Sequence, residues 1–108
     1  MELQKSFKWR TQNQVYIAPE DMQTRHLFYT LRMIYNHSMP PSFRLLPYKE
    51  YYFDKSIYTK SYITQAIRSL AYELATRKDI TPEWNADLMR MFQACNLDMV
   101  RLKQGKNY

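Results

Sequence analysis

The stretch whose residue types and spacing point most directly to chemistry is Tyr48 to Tyr62, YKEYYFDKSIYTKSY, in which five tyrosines and Phe53 alternate with Lys49, Lys55 and Lys60. Aromatic faces beside ammonium groups suit two kinds of partner. Single-stranded nucleic acid stacks its bases on such rings and pairs its phosphates with the cations, whereas protein interfaces are enriched in tyrosine. Glu50 and Asp54 interrupt the cationic pattern and repel a phosphate backbone, which favours a protein partner held by Arg25 and Arg32 together with Tyr48, Tyr51, Tyr52, Lys55, Tyr58 and Lys60. Binding of single-stranded nucleic acid through Tyr51, Tyr52, Lys55 and Lys60 is the alternative. Arg25 and Arg32 lie one heptad apart on a predicted helix, on a face away from Leu31. Arg68 and Arg90 extend that basic area if the helices pack antiparallel.

Groups suited to catalysis or metal binding are sparse. His26 and His37 are the two histidines, and eleven residues of helix set them about 16 Å apart along the axis, too far to share a metal. Spacings such as His-x-x-x-His or Cys-x-x-Cys are absent, so neither metal nor cofactor is expected. His26 reads as a residue of the first helical turn bonded to a preceding hairpin, and His37 as a C-terminal residue favoured by the helix dipole. Cys95 falls in an apolar helical stripe, where a thiol behaves as a small hydrophobe. With no Gly-x-Ser-x-Gly and no phosphate loop, the chain reads as a binding protein and not an enzyme.

These residues need a scaffold. A length of 108 residues with 45% apolar content suits one domain, and a single glycine argues against long linkers. The net charge of +6 makes nucleic acid, anionic surfaces and acidic proteins the natural partners. No apolar run approaches the roughly 20 residues that span a bilayer, and the start MELQKSFKWR lacks the apolar core of a signal peptide. The expected location is therefore the cytoplasm, where a lone cysteine is unremarkable.

Alternation at Phe7 and Trp9, then at Val15 and Ile17, predicts a β-hairpin turning at Gln12 to Gln14, with Trp9 and Ile17 packing onto the helix that follows. That first helix spans Met22 to His37, its stripe being Leu27, Leu31 and Ile34, with Phe28 and Tyr35 on the flank. Glu20 and Asp21 would place negative charge at its start, with Thr24 a competing start. Three prolines within SMPPSFRL and LP forbid a continuous helix next. Phe43, Leu45 and Leu46 are expected to plug the core, and Tyr48 to Phe53 is open to a third short strand. A second helix is predicted from Thr59 to about Arg77. The third opens at Thr81-Pro82-Glu83 and runs through Cys95, Met99 and Leu102 to about Lys103, with 104–108 fraying. The fold class is thus α+β, helix-dominant, a hairpin packed on three helices in a single domain spanning 1–108.

The run from Trp9 to His37 resembles a pattern in small uncharacterised proteins of tailed bacteriophages: a Trp-x-Thr strand, a turn, an Ile-x-x-x-x-Met strand exit and a helix opening with His-Leu. The matching residues are Trp9, Thr11, Ile17, Met22, His26 and Leu27, while Gln-Asn-Gln stands where Asp-Gly is usual at the turn. The resemblance implies a phage accessory protein acting in the host cytoplasm. Such a protein would bind and inhibit or redirect a host protein or ribonucleoprotein complex, including nucleic-acid-guided defence machinery. Self-pairing through the methionine-bearing third helix is a further arrangement open to it.

Overall fold

A computed structural model describes residues 7–11 and 13–97. The expected α+β, helix-dominant architecture is what it has: a two-stranded antiparallel hairpin and three α-helices. Strand β1 (Trp9–Arg10) pairs with β2 (Tyr16–Ile17), Trp9 opposite Ile17 and Arg10 opposite Tyr16. The turn closes because the Thr11 N–H donates to the Val15 carbonyl at 2.9 Å and Gln14 takes a left-handed φ of 64°, the geometry of a bulged hairpin loop.

Trp9 joins the core that holds the stripe of the first helix, with Ile17 packed against it, and its ring also meets the second helix. Its ring lies parallel to that of Tyr62 at 5.6 Å, and against Tyr58 and Phe53, so the hairpin docks on the start of the second helix. The Tyr62 hydroxyl accepts from the Arg10 N–H at 2.9 Å and donates to the Lys8 carbonyl at 2.7 Å, while the Tyr58 hydroxyl donates to the Arg10 carbonyl at 2.8 Å. Side-chain hydroxyls thus occupy the outer edge of β1. Residues 48–53 accordingly form no third strand, and their path is irregular.

Helix α1 (Thr24–Ser38) buries Leu27, Phe28, Leu31, Ile34 and Tyr35, the stripe its periodicity predicts. It starts later than Met22 because Pro19–Asp21 closes a separate 3-10 turn, with Asp21 N–H on the Ala18 carbonyl and Met22 N–H on that of Pro19. Glu20 and Asp21 therefore lie outside its first turn. Arg77, expected as a charge at the end of the second helix, instead reaches back to this segment. Its Nη1 donates to the Met22 carbonyl at 2.8 Å, its Nη2 to that of Pro19 at 3.1 Å, and its Nε to Glu73.

Past α1, Asn36 replaces a strand partner. Its buried amide donates from Nδ2 to the Leu45 carbonyl at 2.8 Å and accepts the Leu45 N–H on Oδ1 at 2.7 Å. Leu45 is thereby turned into the core, whereas Phe43 and Leu46, expected to plug it too, stay 55% and 81% exposed. Helix α2 (Lys60–Ala75) is capped by Thr59, whose hydroxyl accepts from the Tyr62 N–H, and buries Ala66, Ile67, Leu70, Ala71 and Leu74. Helix α3 (Pro82–Ala94) is capped in the same way by Thr81. It stops well before Lys103, because Asn96 takes φ 57° and the Leu97 and Asn96 N–H groups return to the Phe92 and Gln93 carbonyls, a Schellman ending. Met99, Leu102 and the 104–108 tail lie outside the described residues. Among those described, no helix is long and apolar enough to cross a membrane.

Asn36→Ala orphans a buried N–H and a buried carbonyl of Leu45 together. Urea denaturation of this variant should show a loss of about 2 kcal/mol, and a loss within error of zero would remove Asn36 from its place as the strand substitute.

Candidate functional site

Where the crossover, the connection of residues 39–59 between α1 and α2, approaches α2, the chain leaves an open groove of about 870 Å³, within the range of small-ligand and peptide-anchoring sites. Met39, Phe53, Ile63, Ile67 and Leu97 give it apolar walls, and Lys55, Lys60 and Arg68 give it cations, with Glu50 the carboxylate among its lining residues. Periodicity places Ile63 and Ile67 one turn apart on α2. The Asp54 turn brings the crossover over them: Oδ1 of Asp54 accepts from the Ser56 N–H and hydroxyl, and its carbonyl from the Ile57 and Tyr58 N–H groups. The Ser56 hydroxyl, then its N–H, holds the Asp54 carboxyl below its usual pKa.

Of the residues singled out from sequence, Tyr51, Tyr52, Lys55, Tyr58 and Lys60 all line this groove. Their roles divide. Tyr58 is half-buried with its hydroxyl on the hairpin, as is Tyr62, whose pKa is raised chiefly by burial. Tyr51 is half-buried with the Lys49 ammonium 5.8 Å from its ring centroid, and Tyr52 is 86% exposed. Tyr48 is not among the lining residues, and its ring lies under the Arg44 guanidinium at 4.3 Å. Arg25 and Arg32 are elsewhere too, gathered over Tyr29 on α1. Arg68 lines the groove together with Lys60.

His37, Cys95 and Leu97 also line the groove, though no local pattern of residues marks them for it. Cys95 reaches it because α3 ends there: the residue is the helix C-cap, half-buried. Burial raises its thiol pKa, the reverse of what a nucleophile needs. The His37 ring stands edge-on to Phe53 at 4.5 Å. Its pKa is lowered by burial first and by the Arg44 charge second, with Lys55 acting the same way and Glu50 against. Among the described residues, His37 and Cys95 share no hydrogen bond and no cluster of His, Cys, Asp and Glu suits a metal ion. His26 is exposed on α1, without a bond to the hairpin among the described residues.

Comparison of the chain with known protein families, curated proteins and solved structures finds no match.

Two outcomes follow from the two titrating groups. A lowered histidine pKa means that the unfolded chain takes up a proton more readily than the fold does, so stability is full above the ordinary value of 6.5 and is lost as pH falls through it. Chemical denaturation between pH 8 and pH 5 should show this loss (about 3 units of pH bracketing the histidine range), diminished in His37→Gln. Iodoacetamide at neutral pH should alkylate native Cys95 more slowly than free cysteine, with the rates equal after unfolding in urea.

Proposed function

We propose that this chain is a non-catalytic binding protein that seats a segment of a protein partner in the groove between the crossover and α2. The observation that carries this reading is the apolar floor of Ile63, Ile67, Phe53 and Leu97 beneath a cationic rim of Lys55, Lys60 and Arg68. Such a surface suits an apolar side chain flanked by carboxylates: the apolar group supplies affinity by leaving water, and the charges supply orientation and speed of encounter. The resemblance to small tailed-phage proteins gives this binding a setting, the occupation of a host protein or ribonucleoprotein complex by a phage accessory product in the host cytoplasm.

Tyr52 favours a second reading, since an 86% exposed ring beside Lys55 resembles a base-stacking platform. Strand binding, however, uses successive open rings. Tyr51 and Tyr58 are half-buried, and the Tyr58 hydroxyl is committed to the hairpin, so one open ring remains where several are needed.

Tyr52→Ala and Arg68→Glu alter exposed residues and should melt like the wild type. Tagged protein incubated with bacterial lysate should retain a protein prey after nuclease treatment, and both variants should lose it. Prey that vanishes with nuclease, together with oligothymidine binding that falls linearly on a log-log salt plot, would establish the strand-binding reading instead.

A further inference from the structure

Away from the groove, α1 carries a second arrangement of cations and rings. Arg25, Tyr29 and Arg32 follow at steps of four and three, which places them on one helix face. Both guanidiniums close on the same ring, with Cζ of Arg25 5.2 Å and Cζ of Arg32 5.0 Å from the Tyr29 centroid. The Tyr29 ring meets Trp84 edge-on at 5.7 Å, and Trp84 stacks on Phe28 at 5.0 Å, which ties the face to α3. Among the described residues the ion pair present joins Arg77 to Glu73, and neither Arg25 nor Arg32 has a carboxylate partner.

We propose that this face of α1 docks an acidic helix of a partner protein, whose carboxylates one heptad apart pair with Arg25 and Arg32 while an apolar side chain between them lies on Tyr29 and Trp84. The surface shares no residue with the groove and goes beyond the reading of that site.

Three observations select this occupant. The two cations are separated by seven residues, about 10 Å along the axis, the repeat at which a second helix packed alongside presents its own side chains. Each guanidinium rests on an aromatic ring, so its planar fork is held before a carboxylate arrives and little side-chain freedom is lost on pairing. Finally, the rings are already engaged: Tyr29 carries both guanidiniums and the Trp84 edge, and Trp84 carries Phe28. Nucleobases, which stack face to face, therefore meet a Tyr29 ring already covered by guanidiniums, whereas carboxylates need only the N–H edges and an aliphatic side chain only the part of Tyr29 left exposed. The seam is short. The next step of four is Asn36, whose amide is consumed by Leu45, so the contact covers about two turns.

The test uses the full chain and three fluorescent probes: a helical peptide of about three heptads with glutamates one heptad apart and leucine between them, a peptide of the same composition with the glutamates dispersed around the helix, and single-stranded oligothymidine. The first peptide should bind, and the dispersed one at least about tenfold more weakly. Arg25→Gln with Arg32→Gln should weaken the first about tenfold, and Arg25→Lys with Arg32→Lys should weaken it less, because charge remains and the fork is lost. Tyr52→Ala should leave it unchanged, which separates failure here from failure of the groove reading. Equal affinity for the two peptides, indifference to the double glutamine variant, or tighter binding of oligothymidine that depends on both arginines would each overturn the proposal.

Discussion

The indole of Trp9 lies flat on the ring of Tyr62, the planes only 6° apart, and most of the tertiary structure around the groove depends on this stack. Strands of two residues cannot hold a hairpin in water, so β1 and β2 persist because Trp9, 3% exposed, is taken up by a partner more than fifty residues away. The contact spreads outward from there. Phe53 and Tyr58 close around the indole at 6.1 and 5.2 Å, and Phe53 also meets the His37 ring edge-on. One aromatic cluster therefore joins the hairpin, the crossover and the ends of two helices, and its outward residues form a wall of the groove.

With so little sheet, backbone groups in the connecting segments need side-chain partners. Arg77 takes the carbonyls of Pro19 and Met22, Asn36 takes both polar groups of Leu45, and the Tyr35 hydroxyl donates to the Phe43 carbonyl. The crossover is consequently pinned at Leu45 and again at Phe53 and Tyr58. Between those points Leu46 and Tyr52 point outward, large apolar groups presented by a segment whose ends are held. An interaction surface built this way needs little ordering when a partner arrives.

The helices were legible in the amino-acid sequence because their signals are local. Leu27, Leu31 and Ile34, then Ala66, Ile67, Leu70 and Leu74, repeat at helical spacing, and Thr59 and Thr81 cap where cap chemistry places them. The groove was legible in part, since Tyr51, Tyr52, Lys55 and Lys60 stand close together in the chain. Asn36 and Arg77 were not, because an asparagine at a helix end and an arginine beyond one carry no mark of the distant carbonyls they will meet. Hydropathy likewise cannot choose among Phe43, Leu45 and Leu46: the side chain turned inward is the one whose backbone Asn36 grips. The stripe through Met91 and Phe92 predicts Cys95 against the core, where it packs, and its further place at the groove follows from the end of α3 at the left-handed turn of Asn96.

Trp9 and Tyr62 stabilise one another across the fold, and a double-mutant cycle measures that directly. Urea denaturation of the wild type, Trp9→Leu, Tyr62→Leu and the double variant should give a favourable coupling energy of about 1 kcal/mol, the size expected of a buried aromatic pair beyond its burial. Strictly additive losses would contradict the account, since the hairpin would then be held in place by something other than this stack.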